Sequence, residues 1–215
     1  MEILLLLKTK ILSFVIRNIP GDYYDNSSKF FHIYKIWNNI KLDEIKGDYF
    51  EFGIYKGKSL YHSFKTAKKL GLIIQRKFWG LDSFEGFPFE NHSFYRKENF
   101  QVSHNKVEKK FKKYKNIKIK KGFFEKVLTD KEVLDVKQIS FAFIDCDIFE
   151  SSESVFKFLE TRMATGGFVM IDDFTSIDKN GNSIAKSFNN HFQINKDVTI
   201  FGYYSNGIIF RILNL

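Results

Sequence analysis

Two apolar runs in this chain end on clustered acids: Phe143-Ile144-Asp145-Cys146-Asp147 and Ile171-Asp172-Asp173-Phe174. A carboxylate at the end of a buried strand is costly to desolvate unless a cation or hydrogen-bond donors compensate it. On adjacent strands, Asp145, Asp172 and Asp173 would repel one another and raise at least one pKa unless a cation sits among them. An all-oxygen set of this kind suits Mg²⁺, Mn²⁺ or Ca²⁺ rather than zinc. The set suits proton-transfer chemistry as well. Asp147 has a simpler reading, as the cap of the helix that follows.

Two further stretches could bind a ligand. Glu51-Phe52-Gly53-Ile54-Tyr55-Lys56-Gly57-Lys58-Ser59 frames a loop with glycines and runs into a helix. Such a loop brings backbone N–H groups and a helix N-terminus to a ligand. It is one residue short of a phosphate loop, whose wrap depends on its length. Gly80-Leu81-Asp82-Ser83 ends on an acid at the place where dinucleotide-type folds hold a ribose diol. An Asx-turn at Asp82 is the plainer alternative.

The elements that carry these stretches alternate. Residues 1–46 read mostly helical, with a turn near Pro20-Gly21-Asp22 and a second helix over 29–42. Strands are expected over 48–54, 78–83, 117–121, 140–145 and 168–171. Helices are expected over 59–70, 125–134, 151–163 and 183–192, with a Lys-rich helix around Val107, Phe111 and Tyr114. The residues 198–204 and 208–213, joined by Ser205-Asn206-Gly207, read as a hairpin. Alternating strands and helices imply an α/β domain with a parallel sheet, to which the hairpin adds an antiparallel strand. Ligands in such sheets bind beyond the carboxyl ends of the strands, so the acids and glycines above stand where a site belongs. The stretch over 85–100, rich in aromatics, reads equally as an acceptor loop closing over the site or as a loose surface loop.

Composition narrows the function. With 215 residues, 44% hydrophobic and 27% charged, the chain is neither disordered nor low-complexity. One cysteine excludes a disulfide framework and a Cys-based zinc site, and fits the cytoplasm. The net charge of +9 invites a nucleic-acid reading. Against it, 29 Lys stand beside 5 Arg, and Arg is the residue that reads bases. Residues 106–121 hold nine Lys, with Val107, Phe111 and Tyr114 at helical spacing, which describes a solvated helix face. No nucleic acid is expected as a partner. The start, MEILLLLKTKILSFVIRNIP, is apolar but broken by Lys8, Lys10 and Arg17, too short to span a bilayer and unlike a secretory signal. It reads as an amphipathic helix. Packing on the domain is favoured, with a homodimer contact or a peripheral membrane contact as alternatives.

The stretches GDYFEFGIYKGKS, FWGLDSFEGFP, FIDCDIFESS and GGFVMIDDF, in this order, resemble the macrocin O-methyltransferase family over about residues 47–190. Four ordered motifs are far more specific than any one of them. The resemblance implies an S-adenosylmethionine-dependent enzyme that methylates a sugar hydroxyl on a glycan, nucleotide-sugar or natural-product glycoside. It implies the Rossmann-like class I methyltransferase fold: a seven-stranded, mostly parallel sheet with helices on both faces and a closing antiparallel hairpin. The expected organisation is a helical lid or dimerisation segment over 1–46 and a methyltransferase domain over 47–215.

Carried over by position, the resemblance assigns Glu51, Gly53 and Ser59 to the methionine end of the cofactor. It gives Asp82 to the ribose diol with Ser83 beside it, and sets Gly122 and Phe123 near the adenine. Asp145, Asp172 and Asp173 match the family's acidic metal site, expected to take Mg²⁺ or another divalent ion, and Asp145 matches its general base. The spacing of 27 residues between Asp145 and Asp172 is also similar to the metal triad of catechol O-methyltransferases. The chain departs from the family where it has Gly57-Lys58 for a Gly pair, Phe52 for a small residue or Cys, Cys146 for Gly and Phe149 for Tyr. Alternatives are a nucleotide-handling enzyme, either an NTPase or a glycosyltransferase with Asp145-Cys146-Asp147 as its D-x-D, and a non-catalytic adapter. The Lys content hints at an anionic acceptor, and the hydroxyl position is not written in the sequence.

Overall fold

The computed structural model describes residues 2–87 and 100–214, without the side chains of 2–7 and 22. Two helices lead: α1 (Glu2–Asn18) and α2 (Gly21–Leu42). Then β1 (Asp48–Phe52), α3 (Lys58–Lys69), β2 (Phe78–Asp82), α4 (His104–Phe111) and β3 (Ile117–Lys121) follow. After two short helices, α5 (Phe124–Val127) and α6 (Lys131–Leu134), come β4 (Ile139–Ile144), α7 (Phe149–Leu159) and β5 (Met163–Ile171). The chain closes with α8 (Ile184–His191), β6 (Val198–Tyr204) and β7 (Gly207–Ile212).

The seven strands form one sheet in the order β3-β2-β1-β4-β5-β7-β6. The pairs from β3 through β5 are parallel, and β7 runs antiparallel to both β5 and β6. This is the expected Rossmann-like architecture. From β1 the chain moves outward to β2 and β3, then returns to place β4 on the other side of β1. The switch point therefore lies between β1 and β4, with their carboxyl ends on one edge.

Alternation along the strands builds a core on each face. On β4, Phe141 and Phe143 face one way, with Tyr49, Phe78, Phe168 and Met170. Ala142 and Ile144 face the other, with Phe50, Phe52, Trp79 and Val169. The first face is covered by α2 through Ile33, Ile36, Trp37 and Ile40, and by Leu60, Phe64, Val107 and Phe111 of α3 and α4. The second is covered by α7 and α8 through Val155, Phe156, Ile184 and Phe188. Each fully buried large side chain of this kind contributes roughly 2–3 kcal/mol.

Several boundaries differ from the sequence reading. Helix α2 begins at Gly21, straight after Pro20, whose extended backbone (φ −55°, ψ 139°) precedes the first turn. The helix expected over 125–134 is two, because Asp130 interrupts it and caps the second, accepting from the Glu132 N–H at 2.9 Å. Strand β5 starts at Met163 rather than Phe168 and carries Gly166 at φ +79° inside it. That is a bulge, seen also as a register break between Ile139 and Phe141. The loop expected over 85–100 falls, at 88–99, outside the described residues.

The described side chains of helix α1 do not pack on the domain, the arrangement favoured from sequence. Every described side chain from 8 to 21 is exposed. Ile11, Leu12, Phe14, Val15 and Ile16 are each about half exposed or more. Among the described residues no helix is long and apolar enough to cross a membrane.

At the amino ends of the strands, Arg76 ties three segments together. Its guanidinium donates to the Gly47 carbonyl at 2.6 Å, the Ser140 hydroxyl at 2.5 Å and the Ile45 carbonyl. The side chain is almost wholly buried. Replacing Arg76 with Met leaves the Ile45 carbonyl without that donor and the Gly47 carbonyl with the Ser140 hydroxyl alone, and the expected cost is about 3 kcal/mol of unfolding free energy by urea denaturation. A change below about 1 kcal/mol would mean that water replaces the guanidinium there.

Candidate functional site

The loop after β1 is set by backbone geometry. Gly53, Tyr55 and Gly57 all have positive φ, at 88°, 47° and 68°. At Gly53 no side chain fits: a Cβ would lie 1.9 Å from the Asp145 carbonyl oxygen. This close approach is how β1 and β4 pass at the switch point, where the Asp145 N–H also donates to the Phe52 carbonyl at 2.8 Å. Gly57 caps α3 in a left-handed conformation.

Asp82, at the end of β2, organises that loop. One carboxylate oxygen accepts the Tyr55 N–H at 2.7 Å, and the other accepts the Phe84 N–H at 2.7 Å. The Asx-turn is therefore real, yet Asp82 also lines the cavity described below, so the two readings of this residue coexist. Burial raises its carboxyl, and the N–H groups of Phe84, Tyr55 and Ile54 offset part of that rise. Ser83 uses its hydroxyl within the next turn, donating to the Gly86 carbonyl at 3.0 Å.

Glu51 lies wholly beneath the surface of β1. It accepts from the Tyr49 hydroxyl at 2.5 Å and the Ser59 hydroxyl at 2.5 Å. Burial pushes its carboxyl up to about 7, against the pull of Ser59, Tyr49 and Lys29. The folded value exceeds the ordinary 4.5, so folding favours the protonated form. Its contribution to stability is full below pH 4.5 and is lost as the pH rises through 7. Between pH 5 and pH 8, wild type should lose about 2–3 kcal/mol more stability than Glu51→Gln in parallel urea titrations. Equal losses would show that Glu51 stays charged throughout.

A cavity of about 680 Å³ opens at this edge of the sheet. Its lining runs along the carboxyl ends in strand order: Gly122 and Phe123 after β3, Asp82 and Ser83 after β2, Gly53 and Ser59 after β1, then Asp145, Asp172 and Asp173 after β4 and β5. All the residues singled out in the sequence meet here except Glu51, which supports Ser59 from below. Cys146, also in the lining, has its thiol raised by burial and by Asp147 and Asp145, which makes it unreactive.

The sequence did not reveal the roof. The second and third turns of α2 supply Asp25, Asn26, Lys29 and Phe30 to the cavity. Lys29 sends its ammonium between two of the acids, 3.2 Å from Asp145 Oδ2 and against Asp172 Oδ2. Despite the desolvation that burial imposes, Asp145 and Asp172 hold this lysine firmly protonated. Burial, with Asp172 and Glu51 nearby, keeps the Asp145 carboxyl well above the ordinary range, while Lys29 pulls it down. The result is a carboxylate more basic than a surface one.

Asp147 belongs to the site and caps nothing. Ile148 stands at the cap position of α7, and no side chain caps it. Asp147 has φ 62° and hydrogen-bonds to Asp173. Burial beside Asp145 and Asp173 holds its carboxyl well above the usual range. The acids are thus divided into Asp145 with Asp172 around an ammonium, and Asp147 with Asp173 in a hydrogen bond to each other. Among the described residues no group of three or more His, Cys, Asp or Glu could hold a metal ion. The arrangement does not fit a divalent ion, because a fixed ammonium lies between the carboxylates that would ligate it.

The cavity can therefore hold an elongated ligand along the switch point, with one buried base and one buried cation at its far end. Comparison with known proteins agrees. The family model described as macrocin O-methyltransferase matches residues 27–211. A Streptomyces olivaceus protein, 8-demethyl-8-(2,3-dimethoxy-alpha-L-rhamnosyl)-tetracenomycin-C 4'-O-methyltransferase, is 26% identical over 150 residues. That match covers 63% of this chain and 56% of the relative, so the chain spans little more than half the relative's length. Among solved structures, the O-methyltransferase NovP superposes with a TM-score of 0.69 at 17% identity, covering 87% of this chain and 80% of that one. CalS11, a calicheamicin methyltransferase, gives 0.67 at 15% identity, with coverage of 94% and 90%. Its apo form is described as a TDP-rhamnose 3'-O-methyltransferase.

Proposed function

Because the chain belongs to the macrocin O-methyltransferase family, we propose that it transfers a methyl group from S-adenosylmethionine to a hydroxyl of a sugar. The observation that carries this reading is the single cavity edge on which Gly53, Asp82, Gly122 and Asp145 all open, in strand order. In this reading, Gly122 and Phe123 border the adenine, Asp82 accepts the ribose hydroxyls, and Gly53 and Ser59 face the methionine end. The Asp82 carboxylate already accepts backbone N–H groups, and with about four lone-pair sites it keeps room for a hydroxyl.

The bound cofactor supplies an electrophilic sulfonium methyl, and the protein supplies alignment and a competent oxygen. A sugar hydroxyl reaching Asp145 would give its proton to that carboxylate as the new C–O bond forms and the C–S bond breaks. Lys29, beside Asp145, opposes the negative charge that builds on the oxygen. The proton then leaves Asp145 for water, which restores the site. The segment over 1–46 enters as a lid through α2, whose Asp25, Asn26 and Lys29 line the cavity. Divalent-metal assistance has no place in this reading, given the position of Lys29.

The acceptor proposal follows the relatives. One acts on a rhamnosyl glycoside and another on TDP-rhamnose, by their descriptions. Lys56 and Lys58 at the cavity mouth favour the nucleotide-linked form. Incubation with methyl-labelled S-adenosylmethionine and a panel of nucleotide deoxysugars and rhamnosides should label a nucleotide sugar. Label in none of them, from protein that binds the cofactor, would move the acceptor outside sugars. Asp82→Ala should weaken cofactor binding by about 30-fold, the worth of hydrogen bonds to a charged group, with little change in turnover at saturation. Unchanged affinity would remove Asp82 from the ribose.

A further inference from the structure

We propose that Lys29 is the resident cation of the acceptor end of this site, standing between Asp145 and Asp172 where a divalent ion would otherwise sit, so that methyl transfer by this chain needs no divalent metal. The proposal rests on the methyl-transfer reading above and adds to it the source of positive charge.

The ammonium is placed, not wandering. Its Nζ lies 3.2 Å from Asp145 Oδ2 and touches Asp172 Oδ2, with the side chain 19% exposed. It also sits over the Phe143 ring, 5.4 Å from the centroid. The helix that carries it is pinned on both sides of Lys29. Ser205 hydrogen-bonds to Asp25, and Lys58 Nζ lies 3.2 Å from Asn26 Oδ1. Phe30 stacks on His62 at 4.3 Å between ring centroids, and the Phe30 carbonyl is 3.2 Å from His62 Nε2. One turn further on, Ile33 and Trp37 are buried in the core.

A cation fixed in this way competes with dissolved ions as an intramolecular partner. Its effective concentration is in the millimolar range or above, while a dissolved ion must also shed water to enter. Two cations cannot share the gap, so an entering ion would have to expel the ammonium from both carboxylates. The other two acids offer no second seat, because Asp147 and Asp173 are bonded to each other. Lys29 also has a reason to be there: Asp145 and Asp172 on neighbouring strands repel one another, and one positive charge between them relieves it. For the reaction, Lys29 is a positioning residue. It holds the Asp145 side chain in place through the 3.2 Å contact, and it places positive charge where negative charge develops on the acceptor oxygen.

The test compares metal-stripped wild type, Lys29→Met and Lys29→Arg, each checked for folding by circular dichroism. Binding of Mn²⁺ is read from the loss of the free-ion electron paramagnetic resonance signal, and S-adenosylhomocysteine binding is read by calorimetry. Wild type and Lys29→Arg should bind Mn²⁺ no tighter than about 1 mM, and Lys29→Met at least about tenfold tighter. Chelator-treated wild type should keep its turnover within about twofold, and Lys29→Met should lose about 100-fold, with Lys29→Arg recovering part. One Mn²⁺ bound to wild type below about 100 µM, with no gain in Lys29→Met, would overturn the proposal. So would a turnover abolished by chelator and restored by Mg²⁺. Should Lys29→Met fail to fold, wild-type Mn²⁺ affinity decides the matter. Failure of wild type to bind S-adenosylhomocysteine would sink the methyl-transfer reading instead, and the Mn²⁺ comparison would still report on Lys29.

Discussion

Asp145→Asn should lower turnover by about 10³-fold while S-adenosylhomocysteine binding stays within about threefold. The asymmetry follows from where the two halves of the residue act. Its backbone holds β4 to β1, through the N–H bond to the Phe52 carbonyl at 2.8 Å, and the substitution leaves that intact. Its side chain faces the acceptor end, and an amide cannot take a hydroxyl proton. Burial with Asp172 and Glu51 nearby raises the carboxyl, which strengthens it as a base, and Lys29 opposes that rise. Asn also leaves Lys29 with Asp172 as its carboxylate partner, so a small loss of stability should accompany the kinetic effect. Steady-state kinetics beside calorimetry separates the two. Turnover within tenfold of wild type would place the base elsewhere in the cavity.

Gly53→Ala should cost at least about 4 kcal/mol of stability and weaken cofactor binding more than 100-fold. Two strains combine at this position. The backbone holds φ at 88°, which a Cβ disfavours, and the Cβ itself would sit 1.9 Å from the Asp145 carbonyl oxygen. Neither side can yield cheaply, because the obstacle is backbone inside a parallel sheet. Relief requires β1 and β4 to separate at the switch point, which displaces Asp145 and widens the cradle of the loop at once. Thermal unfolding with a parallel S-adenosylhomocysteine titration checks both. A variant within about 1 kcal/mol of wild type with unchanged affinity would mean that the loop can move aside without cost.

Strand β3 occupies the residues expected from sequence, and β4 and the closing hairpin fall within a residue of expectation. These segments are buried or paired along their whole length, so pattern and structure coincide. The acids at the strand ends were legible for the same reason, since carboxylates after apolar runs need an explanation wherever they occur. Lys29 was not legible. It lies 116 residues from Asp145 and belongs to no local motif. The turns of α2 around it face the cavity rather than the core, so the apolar periodicity that marks a helix begins only at Ile33. Asp147 was misread because the D-x-D spacing places an acid where a helix cap is common. Its positive φ, which turns the side chain toward Asp173, has no signature in a non-glycine residue. Helix α1 was read as amphipathic and expected to pack, yet its described apolar side chains are exposed.

The central claim is that the edge running from Gly122 through Asp82 and Gly53 to Asp145 holds S-adenosylmethionine. Calorimetric titration of the folded chain with S-adenosylhomocysteine, the product form, tests it most directly. The account predicts one molecule bound per chain, with about micromolar affinity and a clear loss in Asp82→Ala. No heat of binding from protein shown to be folded would contradict it, and the family likeness would then describe descent without the activity.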